Sequence, residues 1–155
     1  MPVIVVGADT SHGNAVVRAL MHRSGEVRAF VTAETTADEF RTAGVKVALG
    51  DVSDASHVGG AALNAFSAVL IGEAAADERE RSFAGDPVDV ASAWAQAVAE
   101  AGVTRVIWVS DDPVPGPIAA AAREVANVAV AGRTPEEIAA DVAALDDAER
   151  VVIPE

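Results

Sequence analysis

The chain has 155 residues and a mass of 15.7 kDa, which is the usual size of one domain. Its net charge of −13 argues against nucleic acid or an anionic membrane as a partner, and the absence of cysteine excludes disulfides and thiolate catalysis. Its apolar runs are short and interrupted, which predicts no transmembrane helix. Because a strand pattern begins at residue 3 without a basic and apolar leader, we expect no signal peptide and a cytoplasmic location.

Short apolar runs rich in β-branched residues alternate with alanine-rich amphipathic stretches, which is typical of βαβ units. The runs predict strands at residues 3–6, 27–31, 45–49, 68–71 and 103–109. Helices are predicted at 14–22, from a capping box at 36–39 to just before Gly44, from Ser53 or Asp54 to Leu63, and at 87–101. Asp86 and Pro87 provide the cap and first turn of the last helix, and Gly102 ends it.

The rest of the chain has weaker patterns. Residues 73–85 are polar and mixed in charge, and the proline-rich stretch 111–117 is predicted to be irregular. We expect a helix at 118–125, a strand at 128–130, a capped helix from Thr134 to residue 145 and a last edge strand at 151–153. Strands alternating with helices of this length require a parallel sheet covered on both faces. We therefore predict an α/β fold, with a single doubly wound parallel-sheet domain of Rossmann-like type over residues 1–155.

The loop after the first strand is the most informative one for function. Ligands of doubly wound sheets bind beyond the carboxyl ends of the strands, where the strand order reverses. The loop reads Gly-Ala-Asp-Thr-Ser-His-Gly over residues 7–13 and leads directly into the first helix. Glycines permit a tight turn and a close approach to a pyrophosphate, and the helix N-terminus supplies amides and a partial positive charge. Thr10 and Ser11 add hydroxyl groups.

Four segments resemble the atypical short-chain dehydrogenase/reductases, in particular their NmrA-like and flavin-reductase-like NAD(P)-binding branch. They are the turn at 7–13, the helix sequence Val16-Val17-Arg18-Ala19-Leu20, the later Gly50-Asp51-Val52, and the strand sequence at 102–110. The resemblance covers residues 1–110, and the helix from Thr134 with the strand after it resembles the family's last helix and strand. It implies a shortened member that lacks much of the usual substrate-binding part.

The resemblance implies NAD or NADP as cofactor. The pyrophosphate would lie on Gly7, Ala8, Thr10, Ser11, His12 and Gly13, the adenosine ribose beside Thr32 and Glu34, the adenine beside Asp51 and Val52, and the nicotinamide near Gly72 and Glu73. Thr10 replaces the family's middle glycine, so its side chain either crowds the pyrophosphate or binds it. Thr32 stands where NADP-preferring relatives often carry an arginine. The nearest acid of the kind that NAD binders use, Glu34, comes two residues later.

The catalytic Tyr-x-x-x-Lys pair of the classical relatives is excluded, because the chain contains no tyrosine. The flavin-reductase-like branch needs only to place a hydride donor against a flat acceptor. Ser110 matches the serine that ends the family's fifth strand, and it is the candidate catalytic residue. Asp111 follows it and would repel an anionic substrate. The leading interpretation is an oxidoreductase that transfers hydride to a small acceptor.

Two alternatives stay open for the function. The missing tyrosine, the altered turn and the shortened end also suit a non-catalytic module that senses dinucleotide or binds a partner protein. They equally suit a degenerate Rossmann domain that binds no nucleotide. The three histidines lack ligand spacing and predict no metal site.

Two further segments each have a functional and a structural interpretation, and the two tryptophans have a structural one. The segment 73–81 is either a lid whose arginines contact a ligand or, as we favour, the solvated face of a short helix with internal ion pairs. The alanine-rich helix at 87–101 predicts either a homodimer contact or packing on the sheet. Trp94 and Trp108 are expected in the core.

Overall fold

Six parallel strands alternate with six α-helices in the computed structural model, which describes residues 1–23 and 25–149. The strands are β1 (Val3–Val6), β2 (Val27–Val31), β3 (Lys46–Leu49), β4 (Ser67–Ile71), β5 (Arg105–Val109) and β6 (Glu124–Val128). The helices are α1 (Ser11–Met21), α2 (Glu34–Thr42), α3 (Ala55–Ala62), α4 (Pro87–Ala101), α5 (Gly116–Ala121) and α6 (Pro135–Asp147). A 3₁₀ turn, Gly72–Ala75, follows β4. The strand predicted at 151–153 lies outside the described residues.

The strand order is β3-β2-β1-β4-β5-β6, and every neighbouring pair is parallel. The order reverses at β1, where Val6 is in register with Phe30 of β2 on one side and Leu70 of β4 on the other. The helices that follow β1 and β4 therefore cover opposite faces of the sheet. This arrangement confirms the predicted doubly wound, Rossmann-like α/β fold.

Separate apolar layers cover the two faces of the sheet. Val3 and Val5 pack with α1, α2 and α6, whereas Ile4 and Val6 pack with α3, α4 and α5, because successive strand residues point to opposite faces. Trp94 of α4 is fully buried, and Trp108 of β5 is nearly so, which confirms both as core residues. No helix in the described part of the chain has the length and apolar character needed to cross a bilayer.

Side-chain caps mark the starts of several helices as predicted. The N-caps of α3, α4 and α6 are Asp54, Asp86 and Thr134, and each side chain accepts a hydrogen bond from the amide three residues later. The capping box predicted at 36–39 is wrong, because α2 begins at Glu34 and its N-cap Ala33 makes no side-chain hydrogen bond. Asp9 of the β1–α1 turn instead orders the chain just before the helix, since its carboxylate accepts from the amides of Thr32 and Ala33.

The interpretation of residues 111–130 is also wrong in part. The irregular stretch ends at Pro115, because α5 begins at Gly116 and holds Pro117 in its first turn, where the missing amide costs nothing. The strand β6 then occupies Glu124–Val128, so the helix predicted at 118–125 ends early and the strand predicted at 128–130 begins four residues sooner. Pairing with β5 along its whole length makes this segment a strand, and that pairing has no local signal. The other predicted elements are confirmed, with ends that shift by a few residues.

Arg105 ties the end of α6 to the sheet from inside the protein. Its side chain is 0% exposed. Nη1 donates to the carbonyl oxygens of Leu145 and Asp146, at 2.8 Å and 3.0 Å, and Nη2 donates to Oε1 of Glu124 at 2.9 Å. The guanidinium also lies 5.0 Å from the ring centroid of Phe66. A buried cation of this kind depends on all of these partners to offset its desolvation.

We expect the substitution Arg105→Met to lower the free energy of unfolding by about 3–5 kcal/mol, because it removes a buried cation from its carbonyl and carboxylate partners. Urea unfolding at neutral pH measures the change. The matched control is Arg41→Met, since the Arg41–Asp38 pair is exposed on α2 and should contribute less than about 1 kcal/mol. Equal losses in the two variants would contradict the role given to Arg105.

Candidate cofactor site

The turn between β1 and α1 brings the start of the helix against the end of the strand. Gly7 has a φ of 87°, in the left-handed region that favours glycine. A Cβ atom on Gly13 would lie 2.1 Å from the carbonyl oxygen of Gly7 and 2.8 Å from the Cα of Ala8. Both positions therefore require glycine for reasons of geometry alone.

Thr10 caps α1 from within this turn. Its Oγ1 donates to the carbonyl oxygen of Gly7 at 2.8 Å and accepts from the amide of Gly13 at 2.9 Å. Only 5% of the residue is exposed. The hydroxyl proton is therefore already donated inside the turn, and little of the side chain is exposed outside it. Neither role that the sequence suggested for Thr10, crowding a pyrophosphate or donating to it, fits this position.

Ser11 and His12 form the outer side of the same turn. Ser11 is exposed and His12 is half-buried. They occupy the first two positions of α1, whose amides have no acceptor within the helix. The first turn of α1 contains no acidic residue, so its partial positive charge is not offset there. Free amides at a helix N-terminus are a suitable site for an anionic group.

Asp9 joins the turn to the end of β2, and the sequence analysis missed it. Its Oδ2 accepts from the amides of Thr32 and Ala33, at 2.8 Å and 3.0 Å. Its Oδ1 accepts from Nη1 of Arg79 at 2.8 Å, and only 5% of its side chain is exposed. Glu34, the acid predicted to face the ribose, is exposed on the first turn of α2 and takes no part in this cluster. The signal in the sequence that could have identified Asp9 is the presence of an acid inside the glycine turn.

Residues 77–83, called the strap below, follow β4 in the chain. Their hydrogen bonds reach from the end of β2 to the loop after β3. Within the strap, Nε and Nη2 of Arg79 donate to the two carboxylate oxygens of Asp77, each at 2.8 Å. Burial disfavours both charges, but these hydrogen bonds outweigh it, so the pKa of Asp77 is lowered and that of Arg79 is raised. Arg81 also donates to Asp77, at 3.2 Å.

The favoured interpretation of this segment as a solvated helix is wrong. Beyond the 3₁₀ turn Gly72–Ala75 it is irregular, and the side chain of Arg79 is only 10% exposed. The internal ion pairs are present as predicted, but Arg79 also reaches Asp9 and the hydroxyl of Thr32, at 2.8 Å and 3.3 Å. These partners lie far away in the sequence, so the local charge pattern does not indicate them.

Asp51 anchors the far end of the strap. Its Oδ1 accepts from the amide and hydroxyl of Ser53, at 2.8 Å and 2.5 Å, and its Oδ2 accepts from the amide of Ser82 at 2.6 Å. The hydroxyl oxygen of Ser53 accepts in turn from the amide of Phe83 at 3.0 Å. Desolvation raises the pKa of Asp51, but the hydrogen bonds outweigh it and leave the pKa below its ordinary value. Val52, predicted beside Asp51 at the adenine, is fully buried.

An apolar cavity of about 290 Å³ lies beyond the carboxyl ends of β4 and β5. Ser110 and Gly72 both line it, and a Cβ atom on Gly72 would lie 2.9 Å from the Cβ of Ser110. The hydroxyl oxygen of Ser110 accepts from the amide of Asp112 at 3.0 Å, which leaves its proton to donate. Glu73 is exposed beside the cavity. Most of the remaining lining is apolar, from Ala75, Ala76, Pro87, Val88, Ala91, Trp108, Pro113, Pro115 and Pro117.

Asp112 lines this cavity, whereas Asp111, the acid expected to repel an anionic substrate, does not. The Oδ1 of Asp111 accepts from the amides of Val130 and Ala131, at 2.8 Å and 3.0 Å. These two hydrogen bonds, with a smaller attraction from His12, lower the pKa of Asp111. Asp111 therefore orders the loop after β6.

The parallel sheet places the predicted residues along one edge, after the carboxyl ends of the strands. The glycine turn follows β1, Thr32 and Glu34 follow β2, Asp51 and Val52 follow β3, Gly72 and Glu73 follow β4, and Ser110 follows β5. Ligands of doubly wound sheets bind at this edge, next to the reversal of strand order between β1 and β4.

Comparison with known proteins identifies the family. The model of the NAD(P)H-binding family matches residues 7–151, which include the whole of this edge. The chain belongs to the NAD(P)H-binding family. The family is described as NAD(P)H-binding, which agrees with the resemblance to atypical short-chain dehydrogenase/reductases.

Solved structures with this fold include several reductases. The triphenylmethane reductase of Citrobacter sp., complexed with NADP(H), matches with a TM-score of 0.77 at 15% identity, over 96% of this chain and 66% of that one. An anaerobillin reductase from Escherichia coli O157:H7 matches with a TM-score of 0.72 at 16% identity, over 97% of this chain and 92% of that one. This chain thus spans less than two thirds of the first protein's length. Among curated proteins, none matches significantly.

We expect Thr10→Val to lower the free energy of unfolding by about 1–2 kcal/mol, because it keeps the shape of the side chain but removes the cap of α1. Urea unfolding measures the loss. Thr10→Ser retains the hydroxyl and should stay close to the wild type. A Thr10→Val variant as stable as Thr10→Ser would show that the hydroxyl does not hold the turn.

The anchoring of the strap predicts an acid-sensitive contribution to stability. The pKa of Asp51 is below its ordinary value of 3.8 in the folded chain, so folding favours the carboxylate. This contribution is complete above the ordinary pKa and is lost as the pH falls through the folded pKa. The substitution Asp51→Asn should therefore reduce the dependence of the unfolding free energy on pH below about pH 5.

Urea unfolding between about pH 5 and pH 3 tests this expectation. Asp38→Asn is the matched control, since Asp38 is exposed on α2 and the substitution removes the same charge. The expectation fails if the two variants show the same pH dependence.

Proposed function

We propose that the chain is an NAD(P)H-dependent reductase of a small apolar acceptor. The supporting observation is that the glycine turn after β1 and the apolar cavity after β4 and β5 lie at the same edge of the sheet, next to the reversal of strand order. This juxtaposition would bring a dinucleotide and a second, uncharged molecule to the same edge of the sheet.

The residues around the turn fit a dinucleotide pyrophosphate. The free amides of Ser11 and His12 provide donors, and Gly7, Ala8 and Gly13 provide the close backbone. Thr10 supports them from inside the turn. When bound, the reduced nicotinamide supplies a hydride to the acceptor.

The adenosine half of the cofactor is proposed to lie along the ends of β2 and β3. Thr32 and Asp9 would face the ribose, and Asp51 would face the adenine, while Val52 beside it is buried and its carbonyl oxygen accepts from Trp94. Glu34 stands at the edge of this region. Gly72 and Glu73 would lie near the nicotinamide, on the cavity side.

The cavity favours a flat, apolar acceptor. Alanine, valine, tryptophan and proline side chains supply most of its lining, and burial of such an acceptor is driven by the hydrophobic effect. Ser110 is the proposed catalytic residue, because its hydroxyl is free to donate a hydrogen bond to an acceptor oxygen and so to stabilise the negative charge that hydride addition creates there, while water supplies the proton of the reduced product. The chain has no tyrosine for this purpose.

The non-catalytic alternative is less well supported. One of its three supports was the altered turn, and Thr10 is buried within that turn. The missing tyrosine and the shortened end still agree with it. A homodimer through α4 and a cytoplasmic location stay predictions.

Cavity filling tests the proposal. Ala76 is exposed and lines the cavity, so Ala76→Phe should fill it without disturbing the core. We expect kcat/KM for a small quinone to fall by roughly tenfold or more, while the Kd of the preferred reduced dinucleotide is unchanged. Oxidation of the reduced dinucleotide and quenching of tryptophan fluorescence provide the two measurements. Ser110→Ala should lower kcat with little effect on the Kd.

Ala140→Phe is the matched control, since Ala140 is exposed on α6 and outside the cavity. It should change neither quantity. Tight cofactor binding without turnover of quinones or flavins would overturn the reductase proposal in favour of the non-catalytic alternative. Equal activity of the two phenylalanine variants would place the acceptor elsewhere.

A further inference from the structure

The carboxylate of Asp9 fills an anion-binding arrangement at the end of β2. Three donors converge on this point: the amides of Thr32 and Ala33 and the guanidinium of Arg79. The hydroxyl oxygen of Thr32 also accepts from Arg79, at 3.3 Å. Backbone amides just before a helix, with an arginine beside them, are the donors that a phosphate group requires. Here all three donors contact Asp9 itself.

This position is where the proposed binding mode puts the adenosine ribose. NADH presents two uncharged hydroxyl groups there, whereas NADPH presents a phosphate with a charge of about −1.5 to −2 at neutral pH. A phosphate would find the two amides already bonded and a buried carboxylate next to it. Ribose hydroxyls meet no such repulsion, and they can donate to carboxylate oxygens.

We propose that Asp9 makes this chain select NADH over NADPH, by holding the donors that a ribose 2′-phosphate would need. The inference rests on the proposed function, because it assumes that the dinucleotide lies along this edge of the sheet.

Arg79 does not reverse this selection. Two of its nitrogens donate to Asp77 and the third donates to Asp9, so the guanidinium already faces two carboxylates. Arg81 is likewise bonded to Asp77. Glu34 adds another negative charge nearby, at the start of α2. A phosphate would therefore have to displace carboxylates from both arginines.

Direct binding of the two reduced dinucleotides tests the inference. Wild-type protein is titrated with NADH and with NADPH under identical salt, and tryptophan fluorescence gives each Kd. We expect NADH to bind roughly tenfold or more tightly than NADPH, because like charges in close contact are strongly disfavoured. This part of the test needs no variant and is independent of any folding defect.

Two variants assign the preference to Asp9. Asp9→Asn keeps an oxygen that accepts from the amides of Thr32 and Ala33 but removes the charge, and Asp9→Ser also makes room. In each, the ratio of the NADPH Kd to the NADH Kd should fall by roughly tenfold. Asp38→Asn is the matched control, since it removes the same charge from an exposed position on α2 and should leave the ratio within about twofold. Glu34→Gln measures separately the contribution of the other acid at this edge.

The outcomes separate this inference from the proposed function. Equal or tighter binding of NADPH by the wild type overturns the selection but leaves dinucleotide binding intact. A shift in Glu34→Gln without one in the Asp9 variants assigns the preference to Glu34 and overturns the role of Asp9. Failure of both dinucleotides to bind the wild type overturns the proposed function, and the selection with it.

Discussion

The close approach of α1 to the end of β1 is the constraint on which the whole site depends. A Cβ atom at Gly13 would lie 2.1 Å from the carbonyl oxygen of Gly7, so the first turn of α1 can reach the strand only through glycine. Thr10 then hydrogen-bonds to both residues and holds the turn together, while its own side chain is almost entirely buried. As a result, the free amides of Ser11 and His12 face the point where the strand order reverses.

A second layer of polar contacts is built on that turn. Asp9 leaves it toward β2, Arg79 returns from the segment after β4, and Asp51 holds the other end of the strap through Ser82. Each carboxylate is largely buried or bonded to several amides, which keeps the pKa of Asp51 low and stabilises its charged form. Three loops that are distant in sequence are thereby ordered at the end where a dinucleotide's adenosine is proposed to lie.

The fold and the position of the glycine turn were accessible from local patterns. Buried strand runs such as Val3–Val6 and Val27–Val31, side-chain caps such as Asp54, and the glycine turn all depend on residues close together in sequence. β6 was predicted four residues too late because its pairing with β5 is what makes it a strand. The start of α2 was misplaced because the amides just before it are bonded to Asp9, which lies in another loop.

Sequence by itself therefore determined the doubly wound sheet, the position of the cofactor turn after β1 and the absence of a tyrosine-based mechanism. Each of these follows from periodicity, local backbone geometry or composition. Tertiary structure alone decided that Thr10 lies inside the turn, that Arg79 bonds to Asp9 and Thr32 at the end of β2, and that Ser110 shares an apolar cavity with Gly72. Those facts depend on contacts between side chains many residues apart, which only the crossovers of the parallel sheet bring together.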